Sequence, residues 1–534
     1  MQLKYKLLVV ALVCVINFGV NNQYLSPDIM EARNLITARE MAATDNWLNP
    51  TMNGYPRLAK PPLPTWVNAA IAKFFPVDNL AAHRIPAAIM GFLMVLAIFF
   101  IAKSISGDEN VGYYSSLVAA SSYYLILMSR QATWDIYCHS LMAVAIAFLI
   151  SNWQNNKGNL WSYLMAGIFM GLSFMSKGPV SFYVILLPFL VSWFLFIEKK
   201  SPKAQWRGIL IMTVVFLVVG FSWPFYQLIT NKDLLLKIVN AESTAWTERH
   251  VKPFYQYWGF WSHVGIWSLF ALVSLAYSFM KSRISQKEYK FLLWWLVIMV
   301  VLLSIPGEKK ERYLLPVIIP LSCLIGYLIY YLRQSQLNNN LSVSDKRLIR
   351  VNILLLLIIS LLFPFTDYFT TSQPHVSIIT FIIFWSTAVG LFFAFKSLKI
   401  AHMMVWTIAL MSAVTIFGLQ KLEPVTNQHY DNLATVREKS FYTKDFYATN
   451  LNPKEILAIG KTVDTLKIEK GAILNPRNKE FVIASYYHMD ENEITTKVST
   501  FQLMDSVAFD KKNDKNLLYF YLVKVEIPHL QYHK

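Results

Sequence analysis

The feature that most constrains the fold of this chain is a series of about thirteen apolar runs, each close to the roughly 17 to 25 residues that cross a bilayer as a helix. Hydrophobic residues make up 55% of the 534-residue chain and charged residues only 15%, whereas charged residues make up about 25% of a typical soluble globule. The sequence therefore predicts a polytopic α-helical membrane protein. The predicted spans lie near residues 5–24, 80–102, 111–129, 134–151, 160–176, 178–197, 208–229, 258–280, 291–305, 314–332, 350–366, 376–395 and 401–419.

Loop charges predict how these spans are oriented. Lys4 and Lys6 precede the first apolar run and no small-x-small cleavage site follows it, so we expect an uncleaved first span with a cytoplasmic N-terminus. An odd number of spans then places the segment after residue 420 outside. Every loop assigned to the cytoplasm is basic, whereas the outer loop 367–375 contains no Lys or Arg. These patterns predict that the C-terminal segment lies outside the cytoplasm, which is the periplasm if the chain lies in a bacterial cytoplasmic (inner) membrane.

Charge and composition also predict the domain organisation. The net charge is +17, but residues 421–534 carry 16 basic and 15 acidic residues, so nearly all the excess lies in loops of the membrane region and is not a nucleic-acid footprint. We expect a transmembrane domain over 1–420, with 25–79 as its first outer loop, and a soluble domain over 421–534. A helical stretch near Asn452–Lys467 and β-like runs at Phe481–Tyr487 and Leu517–Val525 predict an α/β or α+β fold for that domain.

Cysteine usage excludes two classes of site. Cys14, Cys138 and Cys323 all fall inside apolar runs, and none lies in the segment predicted to be periplasmic. The sequence therefore predicts neither a disulfide framework nor a zinc cluster.

The first outer loop is long for a polytopic protein, and long loops commonly carry function. Ser26-Pro27-Asp28 predicts an N-cap at Ser26, a proline at the first helical position and an acid in the first turn, and so a helix that runs through Met41 with Asp28 and Glu31 on one face. These acids either complement the helix macrodipole or take part in chemistry. Lys60-Pro61-Pro62 predicts an extended turn that holds the lysine at the membrane surface, where it either snorkels or binds an anion.

Charges recur at the same predicted membrane face in four further loops. Each could be an ordinary solvated loop end, but together they predict an anion site beside a base, as a lipid-phosphate leaving group requires. The candidate catalytic residues are Glu31, Asp28 and Asp135, and the candidate substrate- or phosphate-binding residues are Arg33, Lys60, Arg130, Lys177, Arg249, His250, Lys309, Lys310, Arg312 and Tyr313.

Several of these residues stand in ordered motifs that resemble one family over residues 1–420. The motifs are Glu31-Ala32-Arg33, Ala38-Arg39-Glu40-Met41, Asn46-Trp47-Leu48, Asn53-Gly54, Lys60-Pro61-Pro62-Leu63, Arg130 to Asp135, Ser176-Lys177-Gly178-Pro179 and Arg312-Tyr313-Leu314-Leu315-Pro316. They resemble the aminoarabinose transferase and dolichyl-phosphate-mannose-protein mannosyltransferase superfamily of GT-C glycosyltransferases. The resemblance implies a multispan enzyme that moves a sugar from a polyprenyl-phosphate carrier, usually with inversion, to a glycolipid, polysaccharide or protein acceptor.

Two positions depart from the pattern of that family. The family typically has Asp-Glu before a small residue and Arg, but Met30 precedes Glu31 here, so the base role falls to Asp28 or to Glu31. The lipid A-modifying branch commonly has a glutamate before the lysine that matches Lys60, but this chain has Ala59. The sequence therefore argues against a carboxylate-dependent contact with a divalent metal at that position, and no cofactor is predicted.

Two other classes of function are weighed against the transferase. A secondary transporter would place ionisable residues near mid-membrane and would usually show repeat symmetry, and neither pattern is evident in this sequence. A scaffold or sensor that binds a partner through the tail would leave the convergent loop charges unexplained. In the transferase interpretation the partners are membrane lipids, the lipid-linked donor and the acceptor.

The topology predicts the compartment of the C-terminus. A reporter that is active only outside the cytoplasm, fused after Lys534, should be active in cells, because thirteen spans and the basic cytoplasmic loops place this end outside. A reporter that is active only in the cytoplasm, fused at the same point, is the control and should stay silent. The opposite pair of signals would invert the topology.

Overall fold

The chain forms two compact units, which are described separately. The helical unit comprises Met1–Asn22, Leu58–Val67 and Ala81–Gln420, and the mixed unit comprises Gln23–Arg57, Asn68–Leu80 and Lys421–Lys534. Parts of the first outer loop thus cluster with the tail, and the predicted boundary between residues 420 and 421 stays a prediction. The computed structural model describes residues 2–155, 159–197, 205–248, 251–366, 378–420, 430–448, 451–465, 467–469, 472–474, 478, 480–489, 498–508 and 517–525.

Helices form most of the described part of the helical unit. The α-helices of the chain, in order, are α1 (Leu3–Cys14), α2 (Ile29–Thr44), α3 (Leu63–Ala72), α4 (Leu80–Ser106), α5 (Glu109–Ala120), α6 (Tyr123–Ser129), α7 (Trp134–Asn155), α8 (Leu160–Lys177), α9 (Leu187–Phe196), α10 (Trp206–Thr230), α11 (Lys232–Glu248), α12 (Ser268–Leu275), α13 (Tyr277–Met280), α14 (Gln286–Ser304), α15 (Ile318–Leu337), α16 (Val343–Leu362), α17 (Ile378–Ser397), α18 (Ile400–Ala413) and α19 (Pro453–Ile459). Short π-helical segments extend three of them, at Val15–Gly19, Phe182–Leu186 and Val414–Gly418, and longer 3₁₀ segments lie at Phe254–Trp267 and Glu311–Val317.

Each predicted span coincides with a helical segment, so the polytopic helical fold is confirmed. Within the described ranges, eight helices are long and apolar enough to cross a membrane by themselves. The count of thirteen crossings stays a prediction, because the remaining spans are built from shorter or less apolar helices. The eight are Leu80–Ser106, Trp134–Gln154, Trp206–Thr230, Phe254–Leu275, Glu311–Leu337, Val343–Thr366, Ile378–Ser397 and Ile400–Gly418.

The mixed unit contains a five-stranded sheet. Its strand order is β4-β3-β7-β9-β8, with β3 parallel to β4 and β7, and β9 antiparallel to β7 and β8. The predicted strands at 481–487 and 517–525 are confirmed as β7 and β9. The strands of the unit are β1 (Thr51–Met52), β2 (Tyr55–Pro56), β3 (Asp445–Ala448), β4 (Val463–Thr465), β5 (Lys467–Glu469), β6 (Ala472–Leu474), β7 (Glu480–Ser485), β8 (Val498–Ala508) and β9 (Leu517–Val525).

The predicted tail helix is shorter than the sequence pattern indicated. α19 begins with a capping box formed by Asn452 and Glu455 and ends at Gly460, whose φ of 86° only glycine adopts readily. Residues after Gly460 continue into β4, so the helix does not extend to Lys467 as predicted.

The first outer loop joins this sheet through direct contacts. α2 packs on α19, and the Asn53 side chain exchanges two hydrogen bonds with the backbone of Val463, accepting from its N–H at 2.7 Å and donating to its carbonyl. Glu40 fixes the β1–β2 turn by accepting from Thr51 Oγ1 at 2.7 Å and from the backbone of Asn53 and Gly54 at 2.5 and 3.1 Å. The turn at Asn53-Gly54 is therefore anchored from both sides.

Candidate active site

An ion pair between Asp135 and Lys177 forms the centre of the candidate site in the helical unit. Asp135 lies in the first turn of α7 and Lys177 is the last residue of α8. Their side chains are 1% and 7% exposed, and Lys177 Nζ donates a short hydrogen bond to Asp135 Oδ1. Gly178, with a φ of 69°, ends α8 directly after the lysine. An acid at a helix N-terminus and a cation at a C-terminus both complement the helix dipoles.

The second oxygen of Asp135 is the most distinctive polar atom of this site. Asp135 Oδ2 is buried and accepts no hydrogen bond in the described part of the chain. His139 lies one turn further along α7, is 1% exposed, and has a buried Nδ1 that is equally without a hydrogen bond. Buried polar atoms are normally satisfied, so the pair offers an acceptor and an imidazole to a further group. Sequence reasoning missed His139, although its i, i+4 spacing to Asp135 was readable.

Tyr313 connects this ion pair to the loop before α15. Lys177 Nζ lies 4.7 Å from the centroid of the Tyr313 ring, a cation–π distance. The Tyr313 hydroxyl donates to Glu308 Oε2 at 3.3 Å, and Lys310 Nζ donates to Glu308 Oε1 at 2.5 Å. The positive charge of Arg312 also attracts the carboxylate of Asp135. The structure therefore brings together five charged groups that the sequence placed in three separate loops.

Lys309 has a different role from its neighbour. Its Nζ donates to the carbonyls of Pro306 and Lys252 at 2.6 and 3.1 Å, and the residue is 3% exposed. An ammonium group held on two carbonyls fixes the loop that carries Glu308. The structure thus gives Lys309 a positioning contact, and its predicted phosphate contact stays untested.

Lys60 pairs with an acid that sequence reasoning missed. Its Nζ donates to Glu242 Oε2 of α11 at 3.0 Å, with the two side chains 22% and 29% exposed. Burial lowers the pKa of Lys60, the charge of Lys177 lowers it further, and Glu242 and Asp135 act in the opposite direction. Lys60 is therefore electrostatically coupled to the Asp135–Lys177 pair. Glu242 lies on an amphipathic helix, where a single acid gives no signal of function.

Arg130 holds the end of the first span. Its Nε, Nη1 and Nη2 donate to the carbonyls of Asn17, Asn21 and Val20 at 2.7, 3.0 and 2.6 Å. Burial, helped by the nearby Arg84, lowers the pKa of Arg130 to about 10. All three types of guanidinium nitrogen are thus bound to backbone, which is a structural role, and the predicted phosphate contact of Arg130 has no support from this geometry.

Asp28, Glu31 and Arg33 lie in the mixed unit. Asp28 is the N-cap of α2, where its Oδ1 accepts from the backbone N–H of Glu31 at 2.7 Å. The sequence had placed the cap at Ser26, and the correction shows that the Asp28 carboxylate already has a structural use. Glu31 is 0% exposed, and Arg33 Nη1 lies 3.9 Å from Met30 Sδ. Catalytic roles for Asp28 and Glu31, and a binding role for Arg33, stay predictions.

Arg249 and His250 lie outside the described residues. In the ranges that the structure describes, no group of three or more His, Cys, Asp or Glu side chains is arranged to hold a metal ion.

Residues 59–223 match the family model described as dolichyl-phosphate-mannose-protein mannosyltransferase. The chain is 24% identical over 351 residues to undecaprenyl phosphate-alpha-4-amino-4-deoxy-L-arabinose arabinosyl transferase 1 of Pseudomonas fluorescens, covering 62% of this chain and 59% of that protein. The enzyme of Edwardsiella ictaluri with the corresponding name is 25% identical over 56% of this chain and 54% of its own length. The chain thus matches less than two thirds of the length of these curated relatives.

Solved structures share the fold over nearly the whole chain. ArnT from Cupriavidus metallidurans in the apo state aligns with a TM-score of 0.73 at 15% identity, covering 97% of this chain and 98% of that one. The same protein bound to undecaprenyl phosphate aligns with a TM-score of 0.74 at 14% identity, covering 98% of both chains.

Fold and helix arrangement define the class: the chain is a polytopic helical membrane protein with a small mixed α/β domain, and it shares the fold of the ArnT structures. Its resemblance to the aminoarabinose transferase and dolichyl-phosphate-mannose-protein mannosyltransferase superfamily, predicted from the motifs, is confirmed.

The buried ion pair predicts an asymmetric response to substitution. Lys177→Met should lower the free energy of unfolding by roughly 3 to 5 kcal/mol, because it leaves the buried Asp135 without its counter-charge. The double variant Asp135→Asn/Lys177→Met should regain most of this loss, because it removes both charges together. Thermal unfolding of the purified protein in detergent measures both. Equal losses in the single and double variants would show that the pair is not coupled.

Proposed function

We propose that the protein is an inverting glycosyltransferase that moves a sugar from a polyprenyl-phosphate carrier to an acceptor on the periplasmic face of the bacterial inner membrane. The observation that carries the proposal is the buried Asp135–Lys177 pair with one carboxylate oxygen unbonded, beside Tyr313 and electrostatically coupled to Lys60. The names of the relatives, which specify an undecaprenyl-phosphate-linked sugar, support a donor of this class.

Chemically, the acceptor oxygen attacks the anomeric carbon while the bond from that carbon to the phosphate oxygen breaks. The electron pair of that bond leaves with the phosphate, whose negative charge Lys60 and Lys177 stabilise. A carboxylate takes the proton of the acceptor hydroxyl. The ion pair with Asp135 orients Lys177, so the two side chains act as a unit.

The acceptor is a glycolipid such as lipid A, a polysaccharide or a protein. Mass spectrometry of lipids, polysaccharides and glycoproteins from a deletion strain, against the complemented strain, identifies which of these loses a sugar. Purified protein that consumes no polyprenyl-phosphate sugar with any extract as acceptor would contradict the proposal and favour the transporter or scaffold alternatives.

Lys60 provides a direct test of phosphate binding. Lys60→Ala should reduce kcat/KM by roughly ten- to a hundredfold, because a charge-assisted contact contributes about 1.5 to 3 kcal/mol. Glu242→Gln is the matched control: it breaks the same ion pair but keeps the lysine charge, so it should cost much less. Transfer from a synthetic polyprenyl-phosphate sugar measures both variants. Unchanged kinetics in well-folded Lys60→Ala would return the residue to a snorkelling role.

The catalytic base is tested by amide substitutions. Glu31→Gln should lower the rate by about 10² to 10⁴-fold, since an amide cannot take the acceptor proton. Asp28→Asn should retain most activity, because Asp28 is the N-cap of α2 and asparagine caps a helix about as well as aspartate. Single-turnover kinetics on folded variants separate the two roles. Full activity in both would move the base role to Asp135, which Asp135→Asn then tests.

A further inference from the structure

A cavity lies far from the candidate active site, at the opposite ends of helices α14 and α15. The Glu308–Tyr313 loop precedes α15, whereas this cavity is formed at the C-terminal end of α15 and the N-terminal end of α14. The 20 residues of α15 span about 30 Å, so the cavity lies at the opposite membrane face. Its volume is about 370 Å³, within the usual range of small-molecule sites. Its lining includes Ser106, Asp108, Arg283, Glu288, Tyr327, Tyr330, Tyr331 and Gln334.

The charges in its wall favour a cation as ligand. Arg283 is the one basic residue of the lining, and its guanidinium is already bound, with Nη2 3.0 Å from Oδ1 of the fully buried Asp345. Its charge also lies 3.7 Å from the centroid of the Phe279 ring. Asp108 and Glu288 are the two carboxylates of the wall. Asp345, which is outside the lining, thus neutralises the charge of Arg283, and the carboxylates of Asp108 and Glu288 remain in the wall of the cavity.

Tyr327 gives an independent indication of a missing partner. The residue is 6% exposed and its buried hydroxyl makes no hydrogen bond of normal geometry. The side chains of Glu288 and Ser106 lie near enough to interact with this hydroxyl, but neither meets the geometry of a hydrogen bond with it. A buried hydroxyl in the wall of a cavity that holds no partner for it is an unusual arrangement. It offers an acceptor oxygen beside the Glu288 carboxylate.

Tyrosine rings complete the site. Tyr330 donates its hydroxyl to Asp108 Oδ2 at 2.6 Å and Tyr331 lies beside Arg283, so three tyrosines line one small cavity. Aromatic rings next to carboxylates are the combination that recognises organic ammonium ions, through cation–π attraction and charge-assisted hydrogen bonds.

We propose that this cavity binds a primary ammonium group, carried either by a soluble amine or by the headgroup of an amine-bearing phospholipid. The ammonium donates to the Glu288 carboxylate and to the Tyr327 hydroxyl oxygen and lies against the tyrosine rings. Occupancy joins the end of α15 to α14 and to the start of α5. The proposal does not depend on the transferase activity, because its readout is binding.

The experiment uses full-length protein in nanodiscs of phosphatidylcholine alone. Ethanolamine hydrochloride is titrated against matched sodium chloride, and the unfolding midpoint is recorded. A saturable rise with ethanolamine identifies a soluble amine, since a ligand that binds only the folded state stabilises it. No response to ethanolamine, but a higher midpoint in discs containing phosphatidylethanolamine, identifies the lipid headgroup. The absence of both effects overturns the proposal.

Variants assign any effect to the cavity. Glu288→Gln should weaken the response by about tenfold or more, because it removes the charged partner of the ammonium. Tyr327→Phe removes a single oxygen at constant shape and should weaken it by a smaller factor. Lys290→Gln is the matched control: it removes a charge at an exposed position of the same helix, outside the cavity lining, and should leave the response intact. An undiminished response in folded Glu288→Gln and Tyr327→Phe overturns the assignment.

Discussion

An ionised carboxylate inside a membrane protein needs a counter-charge, and this requirement organises the helical unit around the Asp135–Lys177 pair. Because desolvation of each charge is costly, the two helices α7 and α8 are held at the register that joins the start of one to the end of the other. The same register places Tyr313 over the lysine. The ion pair therefore positions the start of α7, the end of α8 and the 3₁₀ segment that carries Tyr313.

The dense run Glu308 to Arg312 shows how charges adjacent in sequence separate in function. Lys309 is bound to two backbone carbonyls, and Lys310 pairs with Glu308. Arg312 acts on Asp135 electrostatically. In a medium of low dielectric constant each cation needs its own partner, so a cluster of like charges in the sequence becomes a set of distinct contacts. A phosphate that binds here would therefore contact cations that are already paired with acids or carbonyls, and not a simple basic patch.

Sequence periodicity was sufficient for the elements and insufficient for the contacts. Every apolar run predicted from the sequence coincides with a helical segment, whereas the helices α3 and α11 lie outside the predicted runs. The strands β7 and β9 were predicted from their β-like composition and alternation. The helix after Asn452 was predicted too long, because the left-handed glycine at 460 outweighs the pattern that follows it. Asp135 and Lys177, 42 residues apart, were both candidates. Their pairing, like that of Lys60 with Glu242, depends on tertiary packing, which one sequence does not encode locally.

The contact of Arg130 with the end of the first span has a consequence for how the protein is made. Val20 and Arg130 are 110 residues apart, and a ribosome adds about 5 to 20 residues per second. The carbonyls at the end of the first span are therefore synthesised roughly 5 to 20 seconds before the side chain that binds them. During this interval water or the insertion machinery must solvate them. The first span to enter the membrane is thus completed only after the third predicted span has been synthesised, and its final position is set by a segment that follows it in the chain by 110 residues.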